Sequence, residues 1–201
     1  MCQRDGIEAG NRQEKIQRMT AFHCAQVLAG IKASNIFIME DGQTEELSHI
    51  LAGTGVEFKI LWAGQEKAAY LLYRRERTAR ILMDSRVQEF FRSFGYDSFN
   101  LDQVLERLAV RYEAYAGGQN DFPHEIGLIL EYPLCDVKGF IEHKGRDFLF
   151  SGYWKVYENP EETRRLFAVY TAIQKKVMEG VEKGLMLWQI FSAFRNQNVA
   201  A

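Results

Sequence analysis

Cysteine and proline are scarce in this chain, with three of each in 201 residues. Cys2, Cys24 and Cys135 are odd in number, far apart and without a Cys-x-x-Cys spacing, which argues against both a disulfide framework and a multi-cysteine zinc knuckle. No run of 18 apolar residues occurs, and the charged stretch from Met1 to Arg18 lacks the apolar segment a signal peptide needs. The expectation is a cytoplasmic protein without membrane contact. Charge of one sign is missing too. Lys and Arg number 25 against 27 Asp and Glu, a net charge of -2, so no global field draws nucleic acid or an anionic lipid surface. Neither Gly-x-Gly-x-x-Gly nor Gly-x-x-x-x-Gly-Lys-Ser/Thr is present, which removes the ordinary phosphate cradles.

Apolar material is ample, with 47% hydrophobic and 13% aromatic residues. A chain of this size buries about 70% of its unfolded surface, enough for one core. We read residues 1–201 as a single domain, with Gly117 to Asp121 as a hinge candidate. Helical spacing of Ile16, Met19, His23 and Val27 predicts a first helix over Asn11 to Gly30, with His23 directed roughly toward the core. Asn35 to Met39 reads as a short strand and Thr44 as the cap of a helix through Leu51. Alternation of Val56, Phe58, Ile60 and Trp62, followed by Ala68 to Arg74, predicts a hairpin. Helical spacing runs from Thr78 to Phe94, with a capping box at Ser85 to Gln88 if a new helix begins there. Asn100 caps an amphipathic helix ending at Gly117-Gly118. Pro123 and Pro133 open short helices over His124 to Glu131 and Leu134 to Lys144. Phe148 to Tyr157 alternates, apolar or aromatic on both faces, and predicts a long central strand. Asn159 and Pro160 start the last long helix. The fold class is α+β: a small, mainly antiparallel sheet made of the hairpin and the Phe148 to Tyr157 strand, covered by about six helices.

Several motifs carry a family likeness: Phe22-His23-Cys24-Ala25 continuing to Leu28-Ala29-Gly30-Ile31-Lys32, Phe122-Pro123-His124-Glu125-Ile126-Gly127 through Tyr132-Pro133, Asp136 to Ile141, and Gly152-Tyr153-Trp154-Lys155-Val156-Tyr157. On these segments the chain resembles the bacterial domain-of-unknown-function family 3793 over nearly its whole length. The resemblance implies kinship and not a reaction. Two positions depart from the pattern: Gln26 stands where proline is expected and Glu131 where glycine is expected. Gln26 leaves the first helix less interrupted than the pattern suggests.

Cys24, with His124 and Glu125, is the one set able to supply a nucleophile, a base and an orienting carboxylate. The alternative assigns Cys24 to the core as a small apolar residue and Glu125 to a favourable first-turn acid. His23, Cys24, His124 and either Glu125 or His143 offer mixed ligands for zinc or ferrous iron, but Leu128 stands where a zincin helix needs its second histidine, so no metal site is assigned. Trp154 and Lys155 among tyrosines suit a planar anionic ligand, against the reading of sheet core with a snorkelling lysine. With His23 and Lys32 they form the candidate cofactor-binding set, the cofactor itself being unknown. A helix-turn-helix over the two short helices is excluded by charge, since Asp121, Glu125, Glu131, Asp136 and Glu142 face only Lys138 and Lys144. Arg74, Arg75, Arg77 and Arg80 read as a solvated face. Leu185 to Phe194 carries more apolar bulk than one helical face needs, which points either to internal packing or to a homo-oligomer or partner contact. The leading expectation is a cytoplasmic small-molecule or cofactor-handling protein, thiol-dependent if Cys24 is functional. A non-catalytic interaction module and a metal-responsive protein are the alternatives.

Overall fold

A computed structural model describes the backbone of residues 2–199 and the side chains of residues 12–194. Helix α1 (Cys2–Leu28) leads to strand β1 (Ser34–Glu40), helix α2 (Thr44–Leu51) and the hairpin β2 (Glu57–Ala63) and β3 (Lys67–Tyr73). Helices α3 (Arg75–Ile81), α4 (Ser85–Ser93) and α5 (Leu101–Ala116) follow, then the short α6 (Ile126–Ile129) and α7 (Leu134–Glu142). The chain closes with β4 (Phe150–Ser151), β5 (Lys155–Val156), α8 (Pro160–Glu182) and α9 (Leu187–Val199). The class is α+β, with nine helices among the described residues.

The main sheet is antiparallel in the order β1-β3-β2. Strand β3 is the one buried on both faces. Ala68, Tyr70 and Leu72 face a core built with α1, α2, α8 and α9, whereas Ala69, Leu71 and Tyr73 face a second core with α4, α5 and α6. The period of two along one strand therefore divides the protein into two apolar layers with the sheet between them.

The expected long strand over Phe148 to Tyr157 is not formed. Its aromatic alternation is split into two two-residue strands that make a separate hairpin. Two features reverse the chain there. Gly152 lies so close to α8 that a Cβ would stand 2.4 Å from Phe167 Cε2. The backbone N–H groups of Tyr157 and Glu158, which a strand would give to a neighbour, are donated to Asp136 Oδ1 at 2.7 and 3.1 Å. The main sheet takes its third strand from Ser34–Glu40 instead.

Three other boundaries differ from the expectation. Between Thr78 and Phe94 the helix breaks in two, and Asp84 caps α4 by accepting the Arg86 N–H at 2.8 Å. The helix expected over His124 to Glu131 shrinks to one turn, because Glu131 adopts φ 60° and ends it. Inside α1, Cys24 leaves helical geometry at φ -120°, ψ 16°, so the helix is kinked although residue 26 is glutamine. Across that kink His23 turns outward and is exposed, contrary to its expected direction, with its ring stacked 6.1 Å from Phe37.

Candidate ligand cavity

Three of the residues singled out in the sequence, His124, Trp154 and Lys155, line one cavity of about 390 Å³ between the α6 turn, α7 and the β4–β5 hairpin. Its walls are mostly rings and aliphatic chains, including Phe122, Ile126, Leu130, Tyr132, Val137 and Phe140. The turn before α6 is closed by Ile126 N–H donating to Pro123 O at 3.0 Å and Gly127 N–H to His124 O at 3.0 Å, which sets the imidazole between Phe122 and Phe140, each 5.5 Å away. Gly127 makes the fit possible. A Cβ there would lie 2.9 Å from Val137 Cγ2 and 3.4 Å from Tyr132 Cδ2, two groups of the wall.

The opposite wall is held by one carboxylate. Besides the two backbone bonds already described, Asp136 Oδ2 accepts from Trp154 Nε1 at 2.7 Å, so the buried acid ties α7 to the hairpin through both oxygens. Trp154 in turn stacks on Tyr132 at 4.8 Å and meets Phe167 edge-on at 4.5 Å. Lys155 is half-buried. Its Nζ donates to Gly145 O at 2.6 Å and stands 5.5 Å from the Phe140 ring centroid and 4.9 Å from that of Phe148. Burial lowers the His124 pKa below its ordinary value, against the opposing fields of Glu125 and Asp121.

A match to the family model described as "Protein of unknown function (DUF3793)" spans residues 20–191. The chain belongs to the DUF3793 family. No curated protein and no solved structure matches it. The span that makes it a DUF3793 protein contains every wall of the cavity and all the candidate catalytic and cofactor-binding residues.

The structure does not bring the expected catalytic set together. Cys24 is 0% exposed in the core between α1 and the sheet, and burial pushes its thiol up to about 12, only partly opposed by Lys32. Glu125 lies beyond the sheet from it, also 0% exposed, with Oε1 accepting from Tyr96 Oη at 3.1 Å and paired with the Arg111 guanidinium. Its Oε2 has no hydrogen-bond partner. Strand β3 thus separates thiol from carboxylate, and a thiol kept protonated in a dry core is packing. His23 and Lys32 lie outside the cavity lining as well. Lys32 is 2% exposed, donates to Asn35 Oδ1 at 2.9 Å and rests 5.3 Å from the Tyr132 ring centroid, with its pKa lowered to about 8 by burial.

Sequence reasoning missed Asp136, Tyr132 and Phe140 as site residues. Asp136 had a legible signal in an acid in the first turn after Pro133, but its partners lie more than 17 positions away. Along the other side of α7 a more open cleft of about 800 Å³ passes Cys135, Lys138, His143 and Asp147; burial and the Asp136 and Glu158 charges push the Cys135 thiol up, away from nucleophilic character. Among the described residues no three His, Cys, Asp or Glu side chains are placed to share a metal ion, and no helix is long and apolar enough to cross a membrane.

Proposed function

We propose that this chain is a cytoplasmic small-molecule-binding protein whose ligand occupies the cavity beside His124, Trp154 and Lys155. One observation carries the reading: a ring-walled space of about 390 Å³ with a few polar groups at its edge. Ligand sites of small molecules have about this size and this mixture, roughly 300 to 1,000 Å³ with apolar walls and sparse polar contacts. Flat walls such as the Tyr132–Trp154 stack favour a planar body. Cys24 has no part in this reading. The test is titration with the neutral planar probe 2-naphthamide, followed by amide shifts in NMR. Binding should perturb Gly127, Phe140 and Trp154, and Val137→Phe, which fills the space, should weaken it at least tenfold in protein whose amide spectrum stays folded. Equal binding by the filled variant would refute the cavity as the site.

A second reading is favoured by a different feature. Leu187, Ile190 and Phe191 of the expected contact segment pack in the core, but Leu185, Met186 and Trp188 remain exposed, Trp188 at 49%. Such a patch supports a homo-oligomer or partner contact as an additional role.

A further inference from the structure

We infer that the cavity beside His124, Trp154 and Lys155 selects an organic monocarboxylate, its acid group held at Lys155 and its flat apolar body against the Tyr132–Trp154 stack. This rests on the reading of the cavity as a ligand site and adds the charge of the ligand to it.

Few charges surround this space. The lining contains one acid and one permanent cation, Asp136 and Lys155. They do not pair. Both oxygens of Asp136 are occupied by Trp154 Nε1 and by the Tyr157 and Glu158 N–H groups. Lys155, half-buried, has one carbonyl and two ring faces as its neighbours, and no carboxylate among the described residues lies within ion-pair distance of it. A half-buried ammonium gains from an anion, and the rings and the Gly145 carbonyl supply only partial compensation.

His124 narrows the class. Its ring and Lys155 Nζ both neighbour the Phe140 ring, each 5.5 Å from its centroid, and both residues line the cavity. The imidazole makes no hydrogen bond within the chain among the described residues and is free to give a second contact to the same acid group. Because burial disfavours its charged form, it adds a donor at neutral pH and little charge. One full cation balances one negative charge. A phosphate dianion would bring a second charge into an apolar space that has no arginine fork and no glycine-rich turn to receive it. The carboxylate is the acid that fits.

The test compares three probes with one ring system: 2-naphthoate, 2-naphthamide and 2-naphthyl phosphate, titrated calorimetrically against the full chain at pH 7.5. Naphthoate should bind at least tenfold more tightly than the amide and more tightly than the phosphate. Lys155→Met should bring naphthoate and amide within about twofold of each other, and Lys155→Arg should keep the preference. Equal binding of naphthoate and amide by the unaltered chain would overturn the inference while leaving the cavity reading intact, and needs no variant to fold. Tighter phosphate binding would overturn the charge count. A preference surviving in folded Lys155→Met would overturn Lys155 as the anchor. Failure of all three probes would overturn both the inference and the cavity reading.

Discussion

Replacing Arg111 by methionine isolates the dependence of a fully buried carboxylate on its cation. Glu125 has no exposed side-chain surface, and its carboxylate is balanced by Arg111, 30% exposed, and by the Tyr96 hydroxyl. Methionine keeps an unbranched apolar stem at this position and removes the charge, together with the guanidinium that sits 5.5 Å from the Phe94 ring centroid. The carboxylate is then left in the core with one neutral donor and an oxygen that already lacks a partner. Removing one member of a buried ion pair costs about 3 to 5 kcal/mol, because the survivor remains desolvated. For a domain of about this length that lowers the thermal midpoint by about 6 to 20 °C. Glu125→Gln is the informative contrast. The amide oxygen still accepts from Tyr96, and Arg111 is exposed enough to turn to water, so the loss should be about 1 to 2 kcal/mol. The double variant should be more stable than Arg111→Met alone, a coupling measurable by urea unfolding with an unchanged slope. Should Arg111→Met cost under about 1 kcal/mol, or no more than Glu125→Gln, Glu125 does not depend on Arg111 for its charge balance.

In a Cys2→Ser background, iodoacetamide at pH 8 should label Cys135 and spare Cys24; labelling of both at similar rates in folded protein would contradict the burial of Cys24. Lys32 is held near 8 against an ordinary 10.5, so the unfolded chain binds the extra proton between those values and stability from this group rises with pH across that window. Lys32→Met should remove that rise and stabilise the protein at pH 7 by up to about 3 kcal/mol; a loss of stability at pH 7 would contradict the cost assigned to the buried ammonium. If Trp188 lies in an association surface, light scattering should report a concentration-dependent mass that Trp188→Glu abolishes without unfolding; a monomer for both at all micromolar concentrations removes that role.

Periodicity carried the parts of the fold whose partners are local. The β2–β3 hairpin and α5 are legible because alternation and the i, i+3, i+4 stripe report burial directly, and Asn100 caps α5 through Asp102 and Gln103 N–H as its side chain promises. Alternation is silent about what a strand pairs with. Phe148 to Tyr157 has a strand's pattern, yet its aromatics pack on Phe167 and Tyr170 of α8 and its turn is fixed by Asp136, none of which a local window contains. The same limit hid the basic cluster. Read as a solvated face, it is largely structural: Arg74 donates to the carbonyls of Val27 and Leu28, Arg77 to that of Gly30, and Arg75 spans Glu57 and Asp102. Only the fold brings the Arg74 and Arg77 guanidinium groups to the carboxyl end of α1, where the exposed carbonyls and the dipole favour cations. For the site, residue types were legible and their grouping was not. His124, Trp154 and Lys155 converge, whereas Cys24, with the same chemical promise, is on the far face of β3.

Gln26 and Glu131, where the resemblance led to an expectation of proline and glycine, each bind together parts of the chain that the expected residue would leave to backbone geometry alone. Glu131 keeps the left-handed conformation that suits glycine, at φ 60°. A non-glycine residue there costs about 1 to 2 kcal/mol. Its carboxylate offsets that cost, since Arg77 Nε reaches both oxygens at 3.0 and 3.1 Å and the Ala33 N–H donates to Oε2 at 2.6 Å, fastening the turn after α6 to the start of β1 and to α3. Gln26 works in the same way at the kink. Proline would interrupt the helix covalently, but here Cys24 already departs from helical geometry, and the Gln26 amide donates to Tyr170 O at 3.1 Å and Tyr153 Oη at 3.3 Å. The kink is thereby tied to α8 and to the hairpin that forms one wall of the cavity. A side-chain bond across elements holds a backbone shape as firmly as an intrinsic preference does, but it depends on both partners. The position of the hairpin over the cavity therefore depends on Asp136 from one side and Gln26 from the other.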